Sequence, residues 1–232
     1  MALVQGNGLV LRIRDYAESD LIVSLYTREW GKRTLIAKAA RRLDSRLGGV
    51  FDLLNRVEVV FYERARLDLV SQGALREGYV RLKGDLVGVT AGLAVARLLD
   101  ALLPLHHPES RAYSLFERFL SLTDEHPRAA AQLQLSTSLK LLTLLGHRPS
   151  LAACQVCGST AESLTFVCER GGVICRMCGG SGIEISRGVA LSLESLLRLP
   201  LERAGVVALS DGDLVAARKV TEGYVAHLGR GT

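Results

Sequence analysis

All five cysteines of this 232-residue chain fall in one segment, CQVCGSTAESLTFVCERGGVICRMCG. Cys154-x2-Cys157 and Cys175-x2-Cys178 are separated by 17 residues. Each pair spans one tight turn, so that two thiolates can chelate the same ion, and the spacer is long enough for a hairpin that brings the pairs together. This is the spacing of a tetrahedral four-cysteine zinc ribbon. Four thiolates fill a tetrahedral zinc and leave no position for water or substrate. The expectation is therefore one structural Zn2+, stapling a segment too small to bury a core of its own. A thioredoxin-like dithiol would open a helix in a βαβ unit, and no such pattern surrounds either pair. A redox sensor that releases zinc on oxidation would use the same ligands and stands as an alternative. Cys168 shares a strand face with Leu164 and Phe166 and reads as a small buried hydrophobe rather than a fifth ligand.

The second group with chemistry to offer is cationic. Formal net charge is +5 and the pI about 9.1. Arg28, Lys32, Arg33, Lys38, Arg41, Arg42 and Arg46 are opposed in their window only by Glu29 and Asp44. Such a local excess points to a polyanion, and these seven cations are the candidate DNA-binding residues, all but Arg28 expected to track phosphates along one face of a barrel. Trp30, the single tryptophan, sits among them. It can stack on a base or cover the end of a barrel, and the sequence leaves both open.

Reaction centres are missing. The chain has no G-x-x-x-x-G-K-[ST], H-E-x-x-H or G-x-S-x-G, and GNGLVL lacks the third glycine of a dinucleotide fingerprint. The five histidines form no chelating set. A binding protein is expected, not an enzyme.

The elements that must position these groups fall into two regimes. Over the first 76 residues the pattern has period 2. Strands are predicted at residues 8–14, with Leu9, Leu11 and Ile13 on one face, and at 20–27, 32–42, 56–63 and 67–77, with Gly31 in the turn of a hairpin. Five short strands fit an OB-type barrel, though spacing alone does not separate it from an SH3-like one. Beyond Gly78 the period becomes 3.6, predicting helices over 86–103, 110–122, 128–145, 190–199 and 213–228. The fold class is multidomain α+β: an N-terminal OB-type barrel (1–78), an all-α helical domain (79–148 and 188–232) and an inserted four-cysteine zinc ribbon (149–187). The N-terminus has no signal pattern, and the most apolar run, 87–105, is broken by Arg97 and Asp100. A cytoplasmic, nucleoid-associated protein with no membrane partner is expected.

Taken together, the barrel segment GLVLRIRDYAESDLIVSLYTREWGKRTLIAKAARRLDSRLGG, the passage LLTLLGHRPSLAACQVCG and the second knuckle GGVICRMCG resemble the bacterial recombination mediator family RecO. The resemblance implies an OB-fold, a helical domain and a zinc ribbon. It implies binding to single- and double-stranded DNA and annealing of complementary strands. It also implies work with RecR to load RecA, an indirect partner, onto DNA coated by single-strand-binding protein. Charge and a barrel do not distinguish DNA from RNA, so an RNA-binding accessory factor is the other alternative. One departure bears on the basic loop: the family often has glycine where this chain has Ala39.

Overall fold

The computed structural model describes residues 2–230. The chain divides into two compact units, Met1–Glu125 and His126–Thr232. The helices that directly follow the barrel pack on it, so the first unit runs past residue 78.

In the first unit five strands, β1 (Leu3–Tyr16), β2 (Asp20–Thr27), β3 (Gly31–Ala37), β4 (Arg56–Tyr62) and β5 (Asp68–Glu77), close into a barrel of order β1-β2-β3-β5-β4. β1 closes it by pairing with β4 through its first half and with β2 through its second. The β3–β5 pairing is parallel, with Leu35 opposite Asp68, while the other pairs are antiparallel. A five-stranded closed barrel with this strand order is an OB-fold.

The barrel is filled by aliphatic and aromatic side chains: Val4, Val10, Val23, Leu25, Leu35, Val57, Val59 and Phe61 are buried in one cluster. The predicted inward face of β1 needs correction. A β-bulge between Val10 and Arg12 shifts the register, so Val10 and Ile13 join the barrel core, whereas Leu9 and Leu11, also buried, lie outside that cluster.

Residues 38–55 form a chain of turns across one end of the barrel, and Ala40, Leu47, Val50 and Phe51 from it pack into the core. Phe51 and Leu47 crowd Gly73 of β5 so closely that a Cβ there would come within 2.9 Å of the Phe51 ring.

Three helices complete this unit: α1 (Val80–Gly84), α2 (Leu86–Leu102) and α3 (Ser110–Glu125). Asp85 caps α2 by accepting from the Gly88 N–H at 2.8 Å. The short α1 carries too few turns for a visible period and was not predicted from the sequence.

The second unit holds α4 (Ala130–Leu144), α5 (Arg187–Arg198), α6 (Asp211–Leu228) and a three-stranded sheet of β6 (Ser163–Val167), β7 (Gly172–Cys175) and β8 (Ile183–Ser186), ordered β7-β6-β8. A capping box of Ser210 and Asp213 starts α6. Phe166 of the sheet meets Tyr224 of α6 edge-on at 5.5 Å. Among the described residues, no helix is long and apolar enough to cross a membrane.

Candidate metal centre and nucleic-acid interface

The four-cysteine cluster is built from two tight turns that differ in span. In the first, the Gly158 N–H donates to the Cys154 carbonyl oxygen at 2.9 Å, and in the second the Gly179 N–H donates to that of Arg176 at 3.2 Å. Both turns end in a glycine at positive φ, 73° at Gly158 and 68° at Gly179, where a side chain would be strained. The antiparallel β6–β7 pairing and the Gln155 N–H bond to the Val173 carbonyl (3.0 Å) bring the turns together.

As a result the Sγ atoms of Cys154, Cys157, Cys175 and Cys178 all lie within 4.8 Å of one another. Cys157 Sγ and Cys175 Sγ are 3.7 Å apart. Tetrahedral Zn–S bonds of about 2.3 Å require S···S edges of about 3.8 Å, so the donor set fits that ion in type, number and spacing.

The Cys175 backbone N–H, helped by those of Cys157 and Val156, holds the Cys154 thiol down at about 6 against the effect of burial. Cys178 is pushed up to about 12, chiefly by its hydrogen bonds to Cys157 and Cys175.

Cys168 stands apart from the four. It begins a one-turn 3-10 helix after β6 instead of continuing the strand, is half-buried, and faces α6 at Gly223; burial raises its thiol pKa.

The cations are arranged differently from the sequence expectation. Lys32 and Arg33 are both buried and ion-paired within the protein. Lys32 Nζ donates to the Asp100 carbonyl oxygen and faces the Asp100 carboxylate at 3.7 Å; burial pushes its pKa down and that carboxylate offsets the shift in part. Arg33 points to the barrel mouth, where its Nε meets Asp68 at 2.8 Å, its Nη2 meets Glu63 at 2.8 Å, and its guanidinium lies 5.2 Å from the Phe61 ring centre.

Arg28 pairs with Glu117 at 3.5 Å and stacks over Tyr113 at 5.1 Å. Trp30 lies along β1, its indole N–H given to the Gln5 carbonyl oxygen at 3.3 Å and its side chain against Gly6, with 40% of the residue exposed.

Lys38, Arg41, Arg42 and Arg46, by contrast, are exposed on the turns that follow β3. Arg41 Nη2 reaches Asp15 at 3.2 Å and Arg42 Nε reaches Asp44 at 3.5 Å, both pairs open to solvent, while Lys38 and Arg46 have no ion-pair partner among the described residues. At about 3.3 Å per residue, the seven residues of β3 hold the Arg28–Trp30 turn about 20 Å from this group. The single window in the sequence is thus two regions in space.

Arg14 joins the loop group, and sequence reasoning missed it. It is exposed and opposite Ile22, which is opposite Ile36, two residues before Lys38. The hairpin register was the signal that could have found it.

The loop is anchored to the β1–β2 turn. The Ala39 N–H donates to the Asp20 carboxylate at 2.7 Å and the Arg41 N–H to the Ser19 carbonyl at 2.9 Å. Ala39 itself has φ 54°, the left-handed conformation that glycine adopts freely, so the turn keeps that geometry without one.

The comparisons with known proteins settle the family. Residues 1–79 match the family described as Recombination protein O N terminal, and residues 83–231 match Recombination protein O C terminal. The chain belongs to the RecO family. It is 36% identical to the DNA repair protein RecO of Symbiobacterium thermophilum over 223 residues, which covers 93% of this chain and 88% of that protein. The DNA repair protein RecO of Desulfitobacterium hafniense is 35% identical over 208 residues, covering 87% of this chain and 75% of that protein. That of Rubrobacter xylanophilus is 30% identical over 231 residues, covering 97% and 92%. RecO membership places the chain among DNA repair and recombination proteins, and both features described above, the OB barrel and the four-cysteine cluster, lie within the matched regions.

Proposed function

We propose that this protein is a DNA-binding recombination mediator that anneals complementary strands and, with RecR, helps load RecA onto DNA coated by single-strand-binding protein. The observation that carries the reading is the set of exposed cations on one anchored loop at the end of an OB barrel: Lys38, Arg41, Arg42 and Arg46, with Arg14 beside them.

Two strands approach each other against phosphate repulsion. A surface of fixed guanidinium and ammonium groups lowers that barrier and raises the local strand concentration, and each phosphate neutralised releases counterions. No bond is made or broken, which agrees with a site that offers charge and shape rather than a nucleophile and base.

In this reading Cys154, Cys157, Cys175 and Cys178 hold one Zn2+, which supplies a cross-link and no reaction. The phosphate contacts belong to the loop, and Arg28 and Trp30, at the other end of β3, stay with their partners on α3 and β1.

A strand-annealing assay tests the function, with and without single-strand-binding protein on the DNA. Wild-type protein speeds annealing of both substrates. An Arg41→Glu/Arg42→Glu variant of unchanged zinc content and thermal stability loses that acceleration. Annealing at the wild-type rate by this variant contradicts the reading.

A further inference from the structure

Leu43 is the most exposed large apolar residue described, at 108% of its reference area, and it projects from the middle of the basic loop. Its surroundings set it apart from the isolated apolar residues common on protein surfaces. Three consecutive turns hold it. The Arg42 N–H donates to the Ala39 carbonyl (3.2 Å), Ser45 N–H to Arg42 (3.1 Å) and Gly48 N–H to Ser45 (3.1 Å).

On one side the turns are fixed to the β1–β2 turn through Asp20 and Ser19; on the other, Asn55 Nδ2 donates to the Gly49 and Val50 carbonyls at 3.0 and 2.9 Å. Four residues on from Leu43, Leu47 turns into the barrel mouth beside Phe51 and Gly73. The loop thus packs one leucine inward and presents the other outward, on a prearranged support flanked by Arg41, Arg42 and Arg46.

We propose that Leu43 is an apolar wedge that enters between neighbouring bases of a strand whose phosphates the flanking cations hold. The inference rests on the DNA-binding reading above and adds a contact to the bases. Unstacked bases are favoured over a protein as the occupant for a geometric reason. A protein interface core needs a contiguous apolar patch, whereas the exposed residues around Leu43 are Arg41, Arg42, Asp44 and Arg46. One apolar side chain among cations suffices for a wedge, because the cations position the backbone while the side chain separates the base step. The benefit for annealing is direct: a strand held with its bases parted exposes their pairing edges to a complement.

The test uses the full chain and a single-stranded oligonucleotide carrying 2-aminopurine between adenines, whose emission rises when stacking is lost. Three proteins are compared: wild type, Leu43→Ser and Leu43→Met. Because Leu43 is fully exposed, its replacement leaves the melting temperature unchanged.

Wild type is expected to raise the emission on binding. Leu43→Ser is expected to bind about tenfold more weakly, the loss of roughly one buried leucine, with an unchanged salt dependence and no rise in emission; Leu43→Met restores both. A Leu43→Ser protein with wild-type affinity and emission overturns the proposal and leaves Leu43 to a protein partner. Wild-type binding without an emission rise also overturns it while sparing the DNA-binding reading. Failure of wild type to bind the oligonucleotide at all overturns both.

Discussion

Lys32 of β3 and Asp100 of α2 are joined twice, through the lysine's hydrogen bond to the Asp100 carbonyl oxygen and its 3.7 Å approach to the carboxylate. The same carboxylate accepts from Ser24 of β2 at 2.9 Å and pairs with Arg12 of β1 at 3.3 Å. Farther along, Tyr26 Oη donates to the Glu109 carbonyl oxygen at 2.9 Å, and the His107 backbone lies so close over Gly31 that a Cβ there would come within 2.4 Å. The end of α2 and the segment after it therefore cover the outer face of β2–β3, the face on which OB-folds commonly bind oligonucleotides. The basic loop at the barrel's end stays open.

Arg33 is held separately, by Glu63 and Asp68. Its side chain is 6% exposed and its partner Asp68 3%, so Arg33→Met would strand a buried carboxylate. Breaking one side of such a pair costs about 3–5 kcal/mol. Denaturant unfolding of Arg33→Met should show a loss of this size, while the folded protein keeps the wild-type salt dependence of DNA binding. A weaker salt dependence at full stability would return Arg33 to the DNA contacts.

The limits of sequence reading show in these residues. β2 was legible to the residue, because Asp20–Thr27 is a continuous run of strand formers between two turns. The four-cysteine set was legible because its ligands come in pairs close in sequence. The burial of Lys32 and Arg33 was not legible because a charge count is blind to it, and their partners Asp100 and Asp68 lie 68 and 35 residues away. The bulge at Val10–Arg12 was invisible in a pattern that alternated equally well without it. β8 was missed because four residues, IEIS, are too few to establish a period.

Ala39 offers a test of the loop's geometry. At φ 54° an alanine carries a penalty of about 1–2 kcal/mol that glycine escapes. Part of this is returned as the greater unfolded-state freedom of glycine, so Ala39→Gly is expected to stabilise the protein by about 0.5–1 kcal/mol. Denaturant midpoints check it; destabilisation would mean that the turn does not hold this conformation.

The metal centre makes its own prediction. Purified protein should carry one zinc per chain by elemental analysis, Cys168→Ser should keep it, and Cys154→Ser or Cys175→Ser should lose it. Loss of the ion should also expose the Thr165 and Ile174 amides to hydrogen exchange, since the β6–β7 pairing depends on the two turns it joins. Loss of zinc from Cys168→Ser would show that the ligand set is wrong.

Trp30 offers a test of where DNA binds. Its indole is committed to Gln5 and lies about 20 Å from the loop cations, so emission from this single tryptophan should change little when a short oligonucleotide binds. Strong quenching would place bases at the β2–β3 turn instead.

The most direct measurement is the salt dependence of single-stranded DNA binding, followed by fluorescence anisotropy. With Arg14, Lys38, Arg41, Arg42 and Arg46 each neutralising one phosphate, log K against log salt should slope near −3.5, about −0.7 for each contact. An Arg41→Gln/Arg42→Gln/Arg46→Gln variant should fold normally and bind with a slope of about −1.4. A slope unchanged by the triple substitution would contradict the account, since the phosphates would then be held somewhere other than this loop.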